Sequence, residues 1–373
     1  MRKHKRATIF TALVCAILLF AYLPTVLAAS TAQLDYFVYL PIVIKQVPPT
    51  NTSTPEPSAT LTPVPSSVTQ QNPKRYRVEF INTIKNDGFT LDQLLVYQPR
   101  PIVWDGQQDI NIEMVSPAPD NQGEDPVFGN GLYYWNVIKE MPGIGESLQF
   151  KIIFTYTAYE ITAHIYPNEI QPYNKNSPLY KLYTRPESFI ESTDPQIVGI
   201  ANQVALGEEN PYLLAQKFYN YVVETAHYQI VGRFLGAKGL LTNGGGECGD
   251  FASLFIALSR AKGIPARSVV GYWAITGIGQ SHVWAEFYIE GIGWIPVDPT
   301  IGQQSASNKN YYFGNMDNQR VILEKGFNIP MDPPAPDNYL VPLMQGPYWW
   351  FWGNGDGNKM GSEVTSWNVT HLP

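Results

Sequence analysis

The sequence predicts an α+β fold in which helices and an antiparallel sheet follow a β-sandwich domain. Three observations predict it. Residues 76–166 alternate apolar and polar side chains with period two between turn-forming clusters. Residues 194–263 carry helix starts and apolar runs of helical spacing, and residues 267–300 return to strand patterning.

Composition sets the outer limits. The chain has 373 residues, of which 15% are charged, against roughly 25% in an average soluble protein. Its apolar fraction is 44%, enough to bury a core, so disorder throughout is excluded. The length predicts two domains. A net charge of −7 with no polybasic stretch beyond the extreme N-terminus argues against nucleic acid as a partner. Two cysteines exclude both a disulfide scaffold and a thiolate-rich zinc site.

Arg2, Lys3, Lys5 and Arg6 precede an apolar run from Ala7 to Leu23, and Val26-Leu27-Ala28 offers small residues for cleavage after Ala28. That order is a secretory signal over residues 1–28, with an uncleaved anchor as the alternative. The mature chain is then expected to be secreted or held at the cell surface. It would carry 21 Lys and Arg against 32 Asp and Glu, a net charge of about −11, with Cys248 as its one thiol. Residues 29–46 hold a short apolar strand candidate, 34–44. Residues 47–73 are rich in Pro, Thr and Ser and read as an extended linker. These leading segments leave open an association with a cell wall or a membrane surface.

The sandwich is expected over residues 74–170. Tyr76, Val78 and Phe80 alternate with Arg77 and Glu79, Asn86-Asp87-Gly88 turns, and Leu148, Phe150, Ile152, Phe154 and Tyr156 share one face. No chemical constellation lies here, so a structural or spacer role is the expectation. In the second domain, residues 185–330, Asp194-Pro195 starts a helix that Gly207 stops, and Asn210-Pro211 starts another with Leu214, Phe218, Tyr221, Val222 and Thr225 on one face. Asn243 to Gly246 form a glycine-rich loop. An apolar helix follows with Phe251, Leu254, Phe255 and Leu258, ending at Gly263, and the strands 267–275, 282–289 and 293–300 come next. Residues 331–373 form an aromatic-rich extension, whose cluster Tyr348 to Trp352 reads as a final strand or flap.

Cys248 stands where the glycine-rich turn becomes the apolar helix. Unpaired N–H groups at a helix start carry partial positive charge, which favours a thiolate and offers donors to an oxyanion. The glycines just upstream are expected to let a substrate approach the backbone closely. His282 begins a strand that a tight turn at Gly291-Ile292-Gly293 returns through Trp294 to Asp298. Hairpin-linked strands of that length can bring His282 and Asp298 together. A thiol, a histidine and a carboxylate are the parts of an activated nucleophile: attacking group, base and orienter. Singly, each has a bland reading as buried hydrophobe, core histidine or turn starter; jointly they favour catalysis.

The same residues resemble the core of the transglutaminase-like superfamily. The resemblance rests on Gly246-x-Cys248, the run Arg260 to Arg267, His282-x-Trp284, and Gly293-Trp294 followed by Asp298-Pro299-Thr300. It covers roughly residues 185–330 and extends to Asn210-Pro211 and Tyr228. It implies a papain-like cysteine fold and a Cys-His-Asp triad at Cys248, His282 and Asp298. It also implies amide chemistry on proteins or peptides through a thioester, resolved by water (peptidase or amidase) or by an amine (acyl transfer). No cofactor and no metal are expected. The alternative is a surface binding or scaffolding module that keeps the fold without turnover. Asn354 to Asn358 supply one carboxylate, too few for a convincing calcium loop.

Overall fold

A computed structural model describes residues 66–275 and 281–373. The expected signal segment, the 29–46 strand candidate and most of the Pro/Thr/Ser-rich stretch lie outside the described residues. Where that stretch enters the structure it is already strand. The linker expected to run to residue 73 gives way at Ser67, because Ser67 to Gln71 pair with Glu160 to His164 and extend the sheet.

The described chain begins with β1 (Ser67–Asn86), β2 (Phe89–Pro99), β3 (Gln107–Ser116), β4 (Asn121–Glu124), β5 (Gly131–Val137) and β6 (Glu146–His164). A run of helices follows: α1 (Pro178–Thr184), α2 (Pro195–Ala205), α3 (Pro211–Thr225), α4 (Gly236–Asn243) and α5 (Cys248–Ala261). Next come β7 (Ala266–Trp273), β8 (Ser281–Ile289), β9 (Gly293–Val297), α6 (Pro299–Gly302) and α7 (Ala306–Tyr311). The chain ends with β10 (Asn315–Met316), β11 (Arg320–Lys325), β12 (Ile329–Pro330), β13 (Leu340–Val341), β14 (Tyr348–Gly355) and β15 (Met360–Leu372).

Two antiparallel sheets share one apolar core. The first runs β10-β6-β1-β15, with β3 also on β6; the second runs β14-β2-β5-β4. Period-two alternation turns Val78, Phe80, Phe150 and Phe154 inward, against Trp135, Trp349 and Phe351 of the second sheet. Both sheets take strands from the far end of the chain. The Tyr348 to Trp352 cluster is β14, paired to β2, and β15 pairs along β1 from Asn86↔Met360 to Arg75↔Leu372. The helical unit is therefore an insertion between β6 and β14 rather than a domain that follows a finished sandwich.

Within the insertion, β11-β7-β8-β9 form an antiparallel sheet. Every residue of α5 from Cys248 to Arg260 is buried, as expected for a helix that is apolar nearly all round. It packs on the β8 face that carries Val283, Ala285 and Phe287, with α2, α3 and α4 contributing to the same core. The opposite face, with Trp284, Val269 and Ile322, meets Ile161 of the sandwich.

The outer edge of β11 would expose unpaired backbone groups. The sandwich fills it with side-chain amides. Gln107 donates to Ile322 O (2.9 Å) and accepts from Ile322 N (2.7 Å). Asn130 does the same for Lys325, at 2.9 and 2.7 Å. Tyr156 Oη donates to Arg320 O at 3.1 Å. The region expected to be a spacer thus clamps one strand of the sheet that carries His282.

Glu324, also on β11, is 1% exposed and accepts from Met344 N at 2.6 Å. Burial raises its carboxyl to about 8; the Met344 bond opposes this and the charge of Asp125 adds to it. The unfolded chain releases this proton near the ordinary glutamate value, whereas the folded chain keeps it up to about 8. Between those limits the unfolded state binds fewer protons, so this group's stabilising effect is full below the ordinary value and is lost as pH rises. Glu324→Gln is expected to flatten that slope and to melt higher than the native chain at pH 8, by up to about 4 kcal/mol in stability. Melting temperatures at pH 5 and pH 8 check this, and equal slopes for both proteins would refute it.

Candidate active site

Cys248 opens α5, and the residues flanking it explain why the helix starts there. Glu247 N donates to Asp250 Oδ2 at 2.9 Å, one half of a capping box. Asp250 Oδ1 accepts from Leu235 N and Gly236 N, both at 2.8 Å, and Glu247 Oε1 accepts from Val231 N and Gly232 N at 2.9 and 2.8 Å. Two carboxylates therefore tie the 231–236 loop and the start of α4 to the beginning of α5. Burial raises the Asp250 carboxyl to about 6, with three backbone donors opposing that rise. Its charge at the helix start offsets part of the positive end of the helix dipole, which weakens the thiolate preference expected from the helix start alone.

The glycines before Cys248 serve the chain's own packing. A side chain on Gly246 would lie 2.6 Å from Asp250 Oδ2, and one on Gly245 would lie 2.9 Å from His227 O. Their smallness lets 227–229 pair alongside: Gly246 N donates to His227 O and Gln229 N donates to Gly246 O. The space beside Gly245 is filled by His227 and Gln229 and that beside Gly246 by Asp250 and Leu240, whereas nothing lies within 4 Å of a side chain added at Gly244.

His282 is the second residue of β8 and is 1% exposed. Its ring stacks on Trp273, centroids 5.2 Å apart, and lies 6.0 Å from Trp284. Nε2 meets Asp298 Oδ2 at 2.7 Å. Donation from Nε2 leaves a lone pair on Nδ1, and that atom is buried without a hydrogen-bond partner among the described residues. Gln345 Nε2 holds the backbone beneath, donating to His282 O and Gly271 O at 3.2 and 3.3 Å.

Asp298 is fully buried and caps α6, accepting from Ile301 N at 3.1 Å. Burial alone would raise its carboxyl, but the charges of His282 and Arg320, with the bonds from His282 and Ile301 N, outweigh it and hold it at about 2. Arg320 donates from Nη1 to Asp298 Oδ2 at 2.8 Å, and nothing in the sequence pattern singled it out. It lies in a short strand beyond the long motifs, where a lone arginine looks like a surface residue.

The fold thus joins His282 to Asp298 directly. Cys248 lies in the shared helix–sheet core with Val283, the residue after His282. A side chain added at Gly249, the residue after Cys248, would come within 3.9 Å of Val283 Cγ2, so the start of α5 lies beside the start of β8. The arrangement can supply a thiol at a helix start, a buried imidazole with one open nitrogen, and a carboxylate behind it that stays ionised down to about pH 2. Among the described residues no three His, Cys, Asp or Glu side chains gather in a metal-binding group. Asp356 is used locally, accepting from Asn358 N in the β14–β15 turn.

Comparison with known proteins agrees with this architecture. Residues 198–299 match the model of the transglutaminase-like superfamily. An uncharacterized protein of Haemophilus influenzae is 28% identical over 207 residues, which cover 45% of this chain and 52% of that protein. The chain thus spans about half the length of that relative. A crystal structure from Cytophaga hutchinsonii, described as a candidate cysteine protease, superposes with a TM-score of 0.55 at 17% identity. It covers 82% of this chain and all of that one, and shows the fold. The periplasmic domain of TgpA from Pseudomonas aeruginosa aligns over 63% of this chain and 91% of its own at 16% identity; its TM-score of 0.34 is too low to bear on the fold. Residues 198–299 of this chain form a transglutaminase-like core.

Proposed function

We propose that this chain is an exported cysteine enzyme acting on amide bonds of proteins or peptides, with Cys248 as nucleophile, His282 as base and Asp298 as orienter. The observation that supports it most is the state of the His282 ring: Nε2 is committed to Asp298 at 2.7 Å and Nδ1 is buried with no partner among the described residues. Most buried side-chain nitrogens in native proteins are hydrogen-bonded, so an open imidazole nitrogen calls for a role.

In the reaction, His282 Nδ1 takes the proton of the Cys248 thiol and the sulfur attacks the substrate carbonyl. Backbone N–H groups at the start of α5 stabilise the oxyanion. Collapse breaks the C–N bond, the departing amine takes the proton from His282, and a thioester remains on Cys248. Water or a primary amine, deprotonated by His282, then attacks the thioester; the C–S bond breaks, the Cys248 sulfur takes the proton back from His282, and the product is the acid with water or a new amide with the amine. Asp298 keeps the proton on Nε2, so that Nδ1 is the acceptor.

The test compares the mature protein with its Cys248→Ala variant on a mixed protein substrate with a labelled primary amine, read by mass spectrometry. Amine incorporation that Cys248→Ala abolishes means acyl transfer. New peptide termini, or glutamine converted to glutamate, mean hydrolysis. A catalytic Cys248 should also be alkylated by iodoacetamide well below about pH 8.5, where a free thiol titrates. No Cys248-dependent product together with alkylation only after unfolding would overturn the proposal in favour of a binding module.

A further inference from the structure

We infer that Arg320 and Asp317 are positioning residues that set the proton affinity of His282 from behind Asp298. The inference rests on the proposed roles of His282 and Asp298, but its test reads a proton equilibrium rather than turnover.

Asp298 Oδ2 takes two donors at once, His282 Nε2 at 2.7 Å and Arg320 Nη1 at 2.8 Å. A single carboxylate oxygen therefore divides its charge between an imidazole and a guanidinium. Arg320 continues outward to Asp317 Oδ2, from Nε at 3.2 Å and Nη2 at 3.1 Å. Its guanidinium lies 4.3 Å from the ring centre of Trp273 and 4.9 Å from that of Trp284, the two rings beside His282. The four members form a chain in which His282, Asp298 and Arg320 are buried and Asp317 is partly exposed, with aromatic faces keeping water from the guanidinium.

Alone, a buried carboxylate would hold a proton on His282 strongly, and a permanent imidazolium cannot accept the thiol proton. A guanidinium fixed on the same oxygen cancels part of that pull. Asp317 restores some of it by drawing on the guanidinium from the far side. The backbone makes this fixed: Arg320 O accepts from Tyr156 Oη, and Ile322 is held by Gln107.

Other titratable groups lie near this chain, and from α3 Tyr219, which feels the charge of Asp298, donates to Lys309 O at 3.0 Å. From the turn before β10, Tyr312 donates to Asp317 Oδ2 at 3.0 Å. Glu286, on the same face of β8, is matched by Arg267 at 2.8 Å and Lys325 at 3.0 Å. The signs for the outer pair are then opposite. Removing the Arg320 charge raises the proton affinity of His282, and removing the Asp317 charge lowers it.

The experiment uses the full mature chain carrying Cys248→Ala and labelled histidine, with the His282 ring titrated by NMR and assigned through His282→Gln. Arg320→Gln is expected to raise the imidazole pKa by about one unit, and Asp317→Asn to lower it by about half a unit. Arg320→Lys, which keeps the charge, should leave it within about 0.3 unit. Asp317 lies nearer the surface than Arg320, so Asp317→Asn decides the matter by itself should Arg320→Gln not fold. Displacements of the same sign, or none in Asp317→Asn, would overturn the inference. Opposite displacements in a protein without Cys248-dependent turnover would leave the inference standing and defeat the proposed function instead.

Discussion

Replacing Gly271 by alanine is expected to destabilise the chain by more than about 4 kcal/mol, enough to prevent accumulation of folded protein. Gly271 lies in β7 directly opposite His282 on one side and Ile322 on the other. An added side-chain carbon there would lie 1.8 Å from Val321 O, 2.9 Å from Val321 C and 3.3 Å from Ile322 Cα. All three are backbone atoms, so no rotamer change can relieve the clash; β11 would have to leave the sheet. That strand carries Arg320 and is held from outside by Gln107 and Asn130. Its displacement would therefore also break the clamp between sandwich and insertion. Gly199→Ala provides the control. Gly199 is in α2 with nothing within 4 Å of the added carbon, and alanine there is expected to stabilise by about 0.5–1 kcal/mol. Denaturant midpoints for both variants check the contrast. A Gly271→Ala protein that unfolds at the native midpoint would show that the sheet does not depend on this close approach.

The parts of this molecule that were legible in the sequence are those whose signal is local. The α5 helix is apolar on every side, and β8 alternates His282, Trp284 and Glu286 with Val283, Ala285 and Phe287. Asp194-Pro195 and Asn210-Pro211 cap α2 and α3, their side chains accepting from the first helical N–H groups. What escaped depends on distant partners. Helix α4 contains Gly236 and Gly239, a poor helical sequence by propensity, and it is held by the Asp250 carboxylate at one end and Gly244 at the other. The pairing of β15 with β1 joins the two ends of the described chain, and no periodicity within either strand names its partner. Arg320 escaped for the same reason. Its importance comes from Asp298, Trp273 and Trp284, which lie far from it in sequence and meet it only once the sheet has formed. The start of β1 at Ser67 was hidden because composition is a property of one segment, whereas a strand edge is a property of two.

Asp298→Asn is expected to lower any Cys248-dependent turnover by about 10²–10⁴-fold and to change acid stability with a sign opposite to that of Glu324. The amide keeps the shape and an acceptor for Ile301 N, so the α6 cap survives. What it loses is the charge that holds the Nε2 proton of His282 and compensates Arg320. The native carboxyl sits at about 2, below its ordinary value of 3.8. A carboxyl with a lowered folded pKa stabilises fully above its unfolded value, and this is lost as pH falls through the folded one. Its share is therefore present from about pH 4 upward and disappears towards about pH 2, an effect of about 2 kcal/mol. The amide variant has no such window, so native and variant should converge in stability below about pH 2 and separate above about pH 4. At neutral pH the cost is larger than the linkage value alone, because the variant leaves Arg320 buried with Asp317 as its remaining carboxylate partner. Turnover and melting temperature report on different consequences of the same substitution. Loss of stability with turnover within about threefold of native would make the His282–Asp298 bond a structural tie and remove Asp298 from the reacting set. Loss of both, with the acid convergence intact, is what an orienting carboxylate at the centre of a buried charge chain requires.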